Sequence, residues 1–327
     1  MSSGFPIAPG QRGPSVHELQ RRLSAAGVLA PGAAEDSTFC AKTHAAVLAF
    51  QDTHGLPVTG ECDETMWSAL IEASWSLGER ILYLRSPNLR GDDVAELQSI
   101  LNRLGFDCGR VDGIFGPLAR RAVADFQTNT GREPNGICTP DLVIQVRTLA
   151  SQSGAGPGVA VVRESVELAE SDHRDDARIV IGHFGSVAHI AHAVARRCAQ
   201  SHSLTSTVDS DAGTQARAAN SHSADAYIGF EPSVDSGCTV HYYEVPTFVS
   251  VGGRNLALRI AAAIADRIPE VTVSASGVRH PVLRETRMPA VLCSLGPSSV
   301  ISLKASAISL AVNDALDAWR IDPLHEV

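Results

Sequence analysis

The chain has 327 residues, too many for one ordinary domain and enough for two or three. Its composition, 44% hydrophobic and 19% charged, is that of a globular protein rather than a disordered one. A formal net charge of −9 without a concentrated run of Lys or Arg excludes nucleic acid as the main partner, because a polyanion needs a basic surface.

Met1 to Ser15 has neither an apolar core nor a basic cluster ahead of one, so it does not read as a secretory signal. The most apolar helix candidate, Asn255 to Ala265, contains Arg259 and is shorter than the roughly 18 apolar residues a membrane span needs. Seven dispersed cysteines (Cys40, Cys62, Cys108, Cys138, Cys198, Cys238 and Cys293), with no CxxC pair, suit a reducing compartment and a cytoplasmic location.

A repeat governs the first half. Val16, Leu19 and Leu23 stand at i, i+3 and i+7, and so do Val94, Leu97 and Leu101; both sets mark one helical face. Ser15 with Glu18, and Asp93 with Glu96, have the spacing of a capping box at each helix start. A second helix follows in each copy, with Ala46-Val47 and Phe50-Gln51 answering Ala122-Val123 and Phe126-Gln127. Gly60 and Gly136 then lead into a last short helix, near Trp67 to Leu70 and Leu142 to Val146. Three short helices per copy predict small all-α units over 12–74 and 88–150, each too small to bury much surface alone.

These residues resemble the peptidoglycan-binding module. The second copy carries the whole pattern, including Asp112-Gly113-Ile114-Phe115-Gly116, whereas the first offers Ala34 to Cys40 in place of that turn. The resemblance implies peptidoglycan fragments or a lipid-linked precursor as ligand, with Gln98, Asp112, Gly113 and Gln127 as candidate binding residues. Gln20, Gln51, Gln98 and Gln127 have two readings: each satisfies loop backbone groups beside the core, or lines a sugar–peptide groove.

Ser151 to Gly158 has the composition of a flexible linker, and 159–176 reads as a strand or an irregular lead-in. Beyond it, strand and helix candidates alternate as in an α/β fold: strands at 178–181, 203–208, 226–230, 238–243 and 290–295, and helices at 187–200, 214–222, 253–267 and 303–319. Gly253 to Ala257, Gly277-Val278 and Val282 to Leu292, with Ala219-Asn220 and Ala224-Asp225, resemble the zinc-dependent N-acetylmuramoyl-L-alanine amidase fold, a central mixed sheet over 178–320. Two such modules ahead of an amidase-like domain are similar to the CwlM-type proteins of actinobacteria, a resemblance that implies regulation of cell-wall synthesis and a wall-synthesis enzyme as a further partner.

A catalytic zinc needs about three protein ligands, an open water position and a general base. Against the amidase pattern, His183 lies out of register for the first ligand, Val187 occupies the second, Glu231 the third, and Ser294 the position of the base. The expectation is a non-catalytic protein without a cofactor. The alternative is an active amidase with a rearranged zinc site drawing on His183, His189, His192 and Glu231, and a third reading is an exported wall-binding module. Arg284 and Arg287 either pair with acidic side chains or hold a ligand carboxylate in the old cleft.

Overall fold

The computed structural model describes residues 5–30, 37–152, 158–170, 177–200, 204–245, 248–297 and 301–324. They fall into two compact units, Met1–Ala160 and Val161–Val327.

The first unit contains two copies of a three-helix arrangement. One copy consists of α1 (Pro14–Ala25), α2 (Ala41–Thr53) and α3 (Glu64–Glu72), and the other of α4 (Asp92–Arg103), α5 (Pro117–Asn129) and α6 (Pro140–Gln152). The predicted stripes point inward. Val16, Leu19, Leu23, Val47 and Phe50 share one core, and Val94, Leu97, Leu101, Val123 and Phe126 share the other. A short antiparallel bridge closes each copy, Ile7 with Cys62 and Leu82 with Cys138. The copies touch through His54, which stacks on Phe50 and places Nε2 3.3 Å from the Asp92 carboxylate.

The capping boxes do not form. Gly13 and Gly91 are the N-caps, without a side-chain cap, so each helix starts earlier than the Ser15 and Asp93 spacing predicts. Pro14 at the first helical position carries no N–H to satisfy, which favours that earlier start in α1. Glu18 instead pairs with Arg21 and Arg22, Glu96 with Arg147, and buried Asp93 takes a two-pronged bond from Arg80.

Part of the segment read as a linker, 153–157, lies outside the described residues. The lead-in is neither strand nor irregular. It forms α7 (Val159–Glu170), whose buried residues Ala160, Glu164 and Leu168 recur every fourth position along one helical face. Glu164 accepts a hydrogen bond of 2.7 Å from Ser250 Oγ, and Leu168 joins the core of the α/β unit.

The second unit has a mixed sheet of seven strands: β1 (Arg178–His183), β2 (Leu204–Asp209), β3 (Ala226–Pro232), β4 (Gly237–Val245), β5 (Phe248–Val249), β6 (Val273–Val278) and β7 (Ala290–Gly296). The order is β2-β1-β3-β7-β4, with β6 on the other edge of β4 and β5 pairing only the end of β4. Strands β1, β2, β3 and β7 are parallel, and β4 runs against β7. Ile181, Ile228, Phe230, Val291 and Cys293 face helices α8 (Ala188–Cys198), α10 (Val251–Arg267) and α12 (Ala305–Ile321) in one core.

On the other face, α9 (Ala212–Ser221) supplies Gln215, and α11 (Pro281–Glu285) lies nearby. Gln215 Nε2 donates to the His183 carbonyl at 2.9 Å while its Oε1 accepts from Tyr227 at 2.6 Å. A Cβ at Gly182 would sit 1.9 Å from Gln215 Oε1 and 2.2 Å from the Tyr227 hydroxyl oxygen, so glycine is what lets this buried pair hold the end of β1. Sequence periodicity missed α7, α11, β5 and β6. The Ser- and Gly-bearing β6 is half-exposed and lacks an apolar run, so its pattern is weak.

Among the described residues no helix is long and apolar enough to cross a membrane. All seven cysteines are free, six of them buried, and burial pushes the Cys62 thiol up to about 12. They serve as small core residues.

Candidate functional site

Two places carry the expected site residues: the glutamine-held turns of the repeats, and the edge of the α/β sheet where β1, β3 and β7 end.

In the second repeat Gln98 is buried, and both ends of its amide are used. Its Nε2 donates to Asp112 Oδ1 (2.8 Å) and to the Ile114 carbonyl (3.2 Å), and its Oε1 accepts from Gly113 N (2.8 Å). Asp112 Oδ1 also accepts from Ile114 N at 2.8 Å, an Asx turn that Gly113 completes with φ 68°. Gln127 repeats the device. It donates to Asn135 Oδ1 and the Ile137 carbonyl, and it accepts from Gly136 N. Gln51 does the same in the first repeat, with Thr59, the Glu61 carbonyl and Gly60 N. The geometry therefore realises the first of the two readings of these glutamines: they hold loops, with their polar atoms turned inward.

Gln20 is the partial case. Its Nε2 reaches the Thr38 carbonyl (2.8 Å) and Thr43 Oγ1 (2.9 Å), while its fully buried Oε1 has no hydrogen-bond partner among the described residues. The first repeat nonetheless makes the turn. Ser37 takes the left-handed φ of 48° that Gly113 supplies in the second, and the Arg12–Thr38 bridge matches Arg90–Ile114.

At the sheet edge, Glu231 on β3 and Ser294 on β7 are register partners, and Ser294 Oγ donates to the Glu231 carboxylate. Burial pushes the Glu231 pKa up, and the Ser294 bond opposes that rise. The same register row continues through Thr239 on β4 to Ser274 on β6, whose hydroxyls are 3.3 Å apart. Val187 ends a 3-10 turn, Gly185–Val187, and is packed in the apolar core.

His183 closes β1 and is 3% exposed; its Nδ1 stands 3.7 Å from Asp209 Oδ1 and has no hydrogen-bond partner among the described residues. Its ring meets His192 edge-on at 5.6 Å, while His189 and His192 are themselves exposed. No three His, Cys, Asp or Glu side chains are grouped to hold a metal among the described residues. The donor set at the family positions does not fit zinc: one position is a core valine, one is a carboxylate already bonded to a serine, and the histidine is sealed beneath the sheet edge.

Arg284 is buried on α11 and Arg287 is exposed. The Arg287 backbone N–H donates to Asn220 Oδ1 (2.9 Å), and Asn220 Nδ2 donates to the Glu285 carbonyl (2.8 Å). Asn220 thus ties α9 to the turn after α11.

Sequence reasoning missed two histidines here. His280 caps α11, with Nδ1 accepting from Val282 N at 3.3 Å. Burial, then the nearby His241, pushes its pKa down to about 4, and burial lowers His241 on β4 as well. Packing of α11 against β4 brings these two together, so no local motif could have signalled them.

Comparison with known proteins matches the repeats to a family and most of the chain to a curated relative. The peptidoglycan binding domain family (PG_binding_1) matches residues 12–70 and 90–144. Solved amidase structures align with 43–45% of the chain at low identity. They include AmiC2 of Nostoc punctiforme, 14% identical with a TM-score of 0.36 over 98% of that chain, and Ami1 of Mycobacterium abscessus, also 14% and 0.36 over 99% of that chain. N-acetylmuramoyl-L-alanine amidase CwlL of Bacillus licheniformis is 30% identical over 168 residues, 45% of this chain and 47% of that protein. N-acetylmuramoyl-L-alanine amidase CwlM of Mycobacterium tuberculosis is 30% identical over 355 aligned positions, which span 96% of this chain and 87% of that protein. With two peptidoglycan-binding repeats ahead of an amidase-like α/β unit, and similarity running nearly end to end, the chain belongs to the CwlM family.

Proposed function

We propose that this protein binds peptidoglycan fragments or their lipid-linked precursor without cleaving them, and that it regulates cell-wall synthesis from the cytoplasmic side, in concert with a synthesis enzyme. The observation that carries the non-catalytic reading is the Glu231–Ser294 hydrogen bond: the carboxylate at a family ligand position is bonded to the serine at the position of the general base. Activating water at neutral pH needs a metal with an open site and a base to take the proton, and these positions offer neither a carboxylate base at Ser294 nor a ligand atom at Val187. Seven free thiols, six of them buried, support a reducing compartment. Binding falls to the repeats, chiefly the second, where the buried network of Gln98, Asp112, Gly113 and Gln127 shapes the loops, while Arg284 and Arg287 flank the vestigial cleft.

The test is metal stoichiometry after dialysis of the purified protein against zinc. The expected result is well below one zinc per chain. Equimolar zinc that is lost on Glu231→Gln would overturn the reading in favour of a rearranged amidase site.

A further inference from the structure

The two repeats share a scaffold, so positions that match in structure and differ in chemistry isolate what one repeat has gained. Beside the closing bridge, Leu82–Cys138 in the second repeat and Ile7–Cys62 in the first, antiparallel register sets Tyr83 beside Ile137 and Ala8 beside Glu61. Tyr83 is 43% exposed and Ile137 37%. Next to Ile137 the chain turns at Gly136, and Arg120 of α5 lies across that turn, with Cγ 2.6 Å and Nε 3.3 Å from where a Cβ would be. His44 fills the matching place over Gly60. Arg120 is exposed, and its guanidinium makes no hydrogen bond or ion pair among the described residues. The second repeat therefore gathers an aromatic ring, an aliphatic side chain and an uncommitted cation, where the first has alanine, glutamate and histidine.

We propose that Tyr83, Ile137 and Arg120 form a subsite for the carboxylate-bearing peptide stem of a muropeptide; this deepens the peptidoglycan-binding reading and rests on it. In a chain of net charge −9 an unpaired guanidinium beside apolar surface is complementary to an anion, and its planar fork takes a carboxylate in two parallel hydrogen bonds. Tyr83 and Ile137 give the short aliphatic side chains of a stem peptide an apolar bed. A single cation flanked by apolar groups suits a carboxylate better than a diphosphate, which favours clustered cations or a helix N-terminus. Glu61 at the matching place in the first repeat would repel the same ligand.

The experiment titrates the full chain with an N-acetylmuramoyl peptide bearing free stem carboxylates and, separately, with its fully amidated form. The wild type should prefer the carboxylate form. Arg120→Gln should weaken that form by about tenfold and remove the preference, and Arg120→Lys should restore part of it. Tyr83→Ala should weaken both forms alike, by about threefold. Melting curves of all variants should overlay, because the three side chains are exposed. Equal affinity of the wild type for the two ligands, or undiminished binding by Arg120→Gln, would overturn the subsite while leaving peptidoglycan binding intact. Inorganic diphosphate competing in an Arg120-dependent way would overturn the carboxylate assignment. Absence of any muropeptide binding by the wild type would overturn both this inference and the function it rests on.

Discussion

The first and second repeats reach one backbone by different chemistry. In the second, Gly113 adopts its left-handed φ without strain, Asp112 gathers the turn, and Gln98 uses both ends of its amide. In the first, a serine with a Cβ holds that φ, and the amide oxygen of Gln20 is buried without a partner among the described residues. The Asp-Gly turn is therefore not required to make the loop. What it accompanies is a glutamine amide paired at both ends, where Gln20 is paired at one end among the described residues.

The largest test of this difference removes the glutamines. Gln98→Leu leaves the Gly113 N–H buried without a partner, removes two donated bonds and should cost about 3 kcal/mol by urea denaturation. Gln20→Leu removes only two donated bonds and also the orphaned oxygen, so it should cost about 1 kcal/mol. Equal losses would mean that the orphan is satisfied in solution and the comparison is wrong.

Acid extends the comparison from the repeats to the α/β unit. His280 titrates near 4 when folded against about 6.5 when unfolded, so its neutral form is the one the fold favours. Its contribution is complete above about 6.5 and is lost as pH falls towards 4, by about 3 kcal/mol at most. Glu231, raised by burial, acts in the opposite sense as pH falls, so Glu231→Gln should expose the full loss. The readout is unfolding of the α/β unit against pH. A flat profile between 6.5 and 4 in that variant would contradict the burial of His280.

Glycine substitution comes next in size. At Gly136 an added Cβ meets the Arg120 carbonyl oxygen at 2.9 Å, backbone that cannot step aside, whereas at Gly60 it meets the movable His44 ring. Both positions have a left-handed φ, so both substitutions cost, but Gly136→Ala should lose about 2 kcal/mol and Gly60→Ala about 1 by thermal melting. The smallest effect is reciprocal. Ser37→Gly should stabilise the first repeat by about 0.5 kcal/mol, and Gly113→Ser should destabilise the second by about 1 kcal/mol.

The helices of the repeats were legible because Leu19 and Leu97 sit in stripes that only a helix can bury, and the core strands because β3 and β7 carry continuous apolar runs. Capping was misread, since spacing alone could not show that the glycines at 13 and 91 would start the helices first. The turn at Ser37 was invisible for a related reason: a left-handed serine carries no signature in sequence. At the candidate site, the replacement of family residues at Val187, Glu231 and Ser294 could be read directly. The bond between Glu231 and Ser294, the His241–His280 pair and the Arg120 surface depend on register and on contacts between distant segments, which periodicity does not encode.

The most direct test of the central claim, binding without cleavage, incubates the full chain with insoluble peptidoglycan and zinc, sediments the polymer, and weighs the soluble products by mass spectrometry. The account predicts protein in the pellet and a supernatant free of stem peptides that begin at L-alanine. Such peptides accumulating over many turnovers per chain would contradict it.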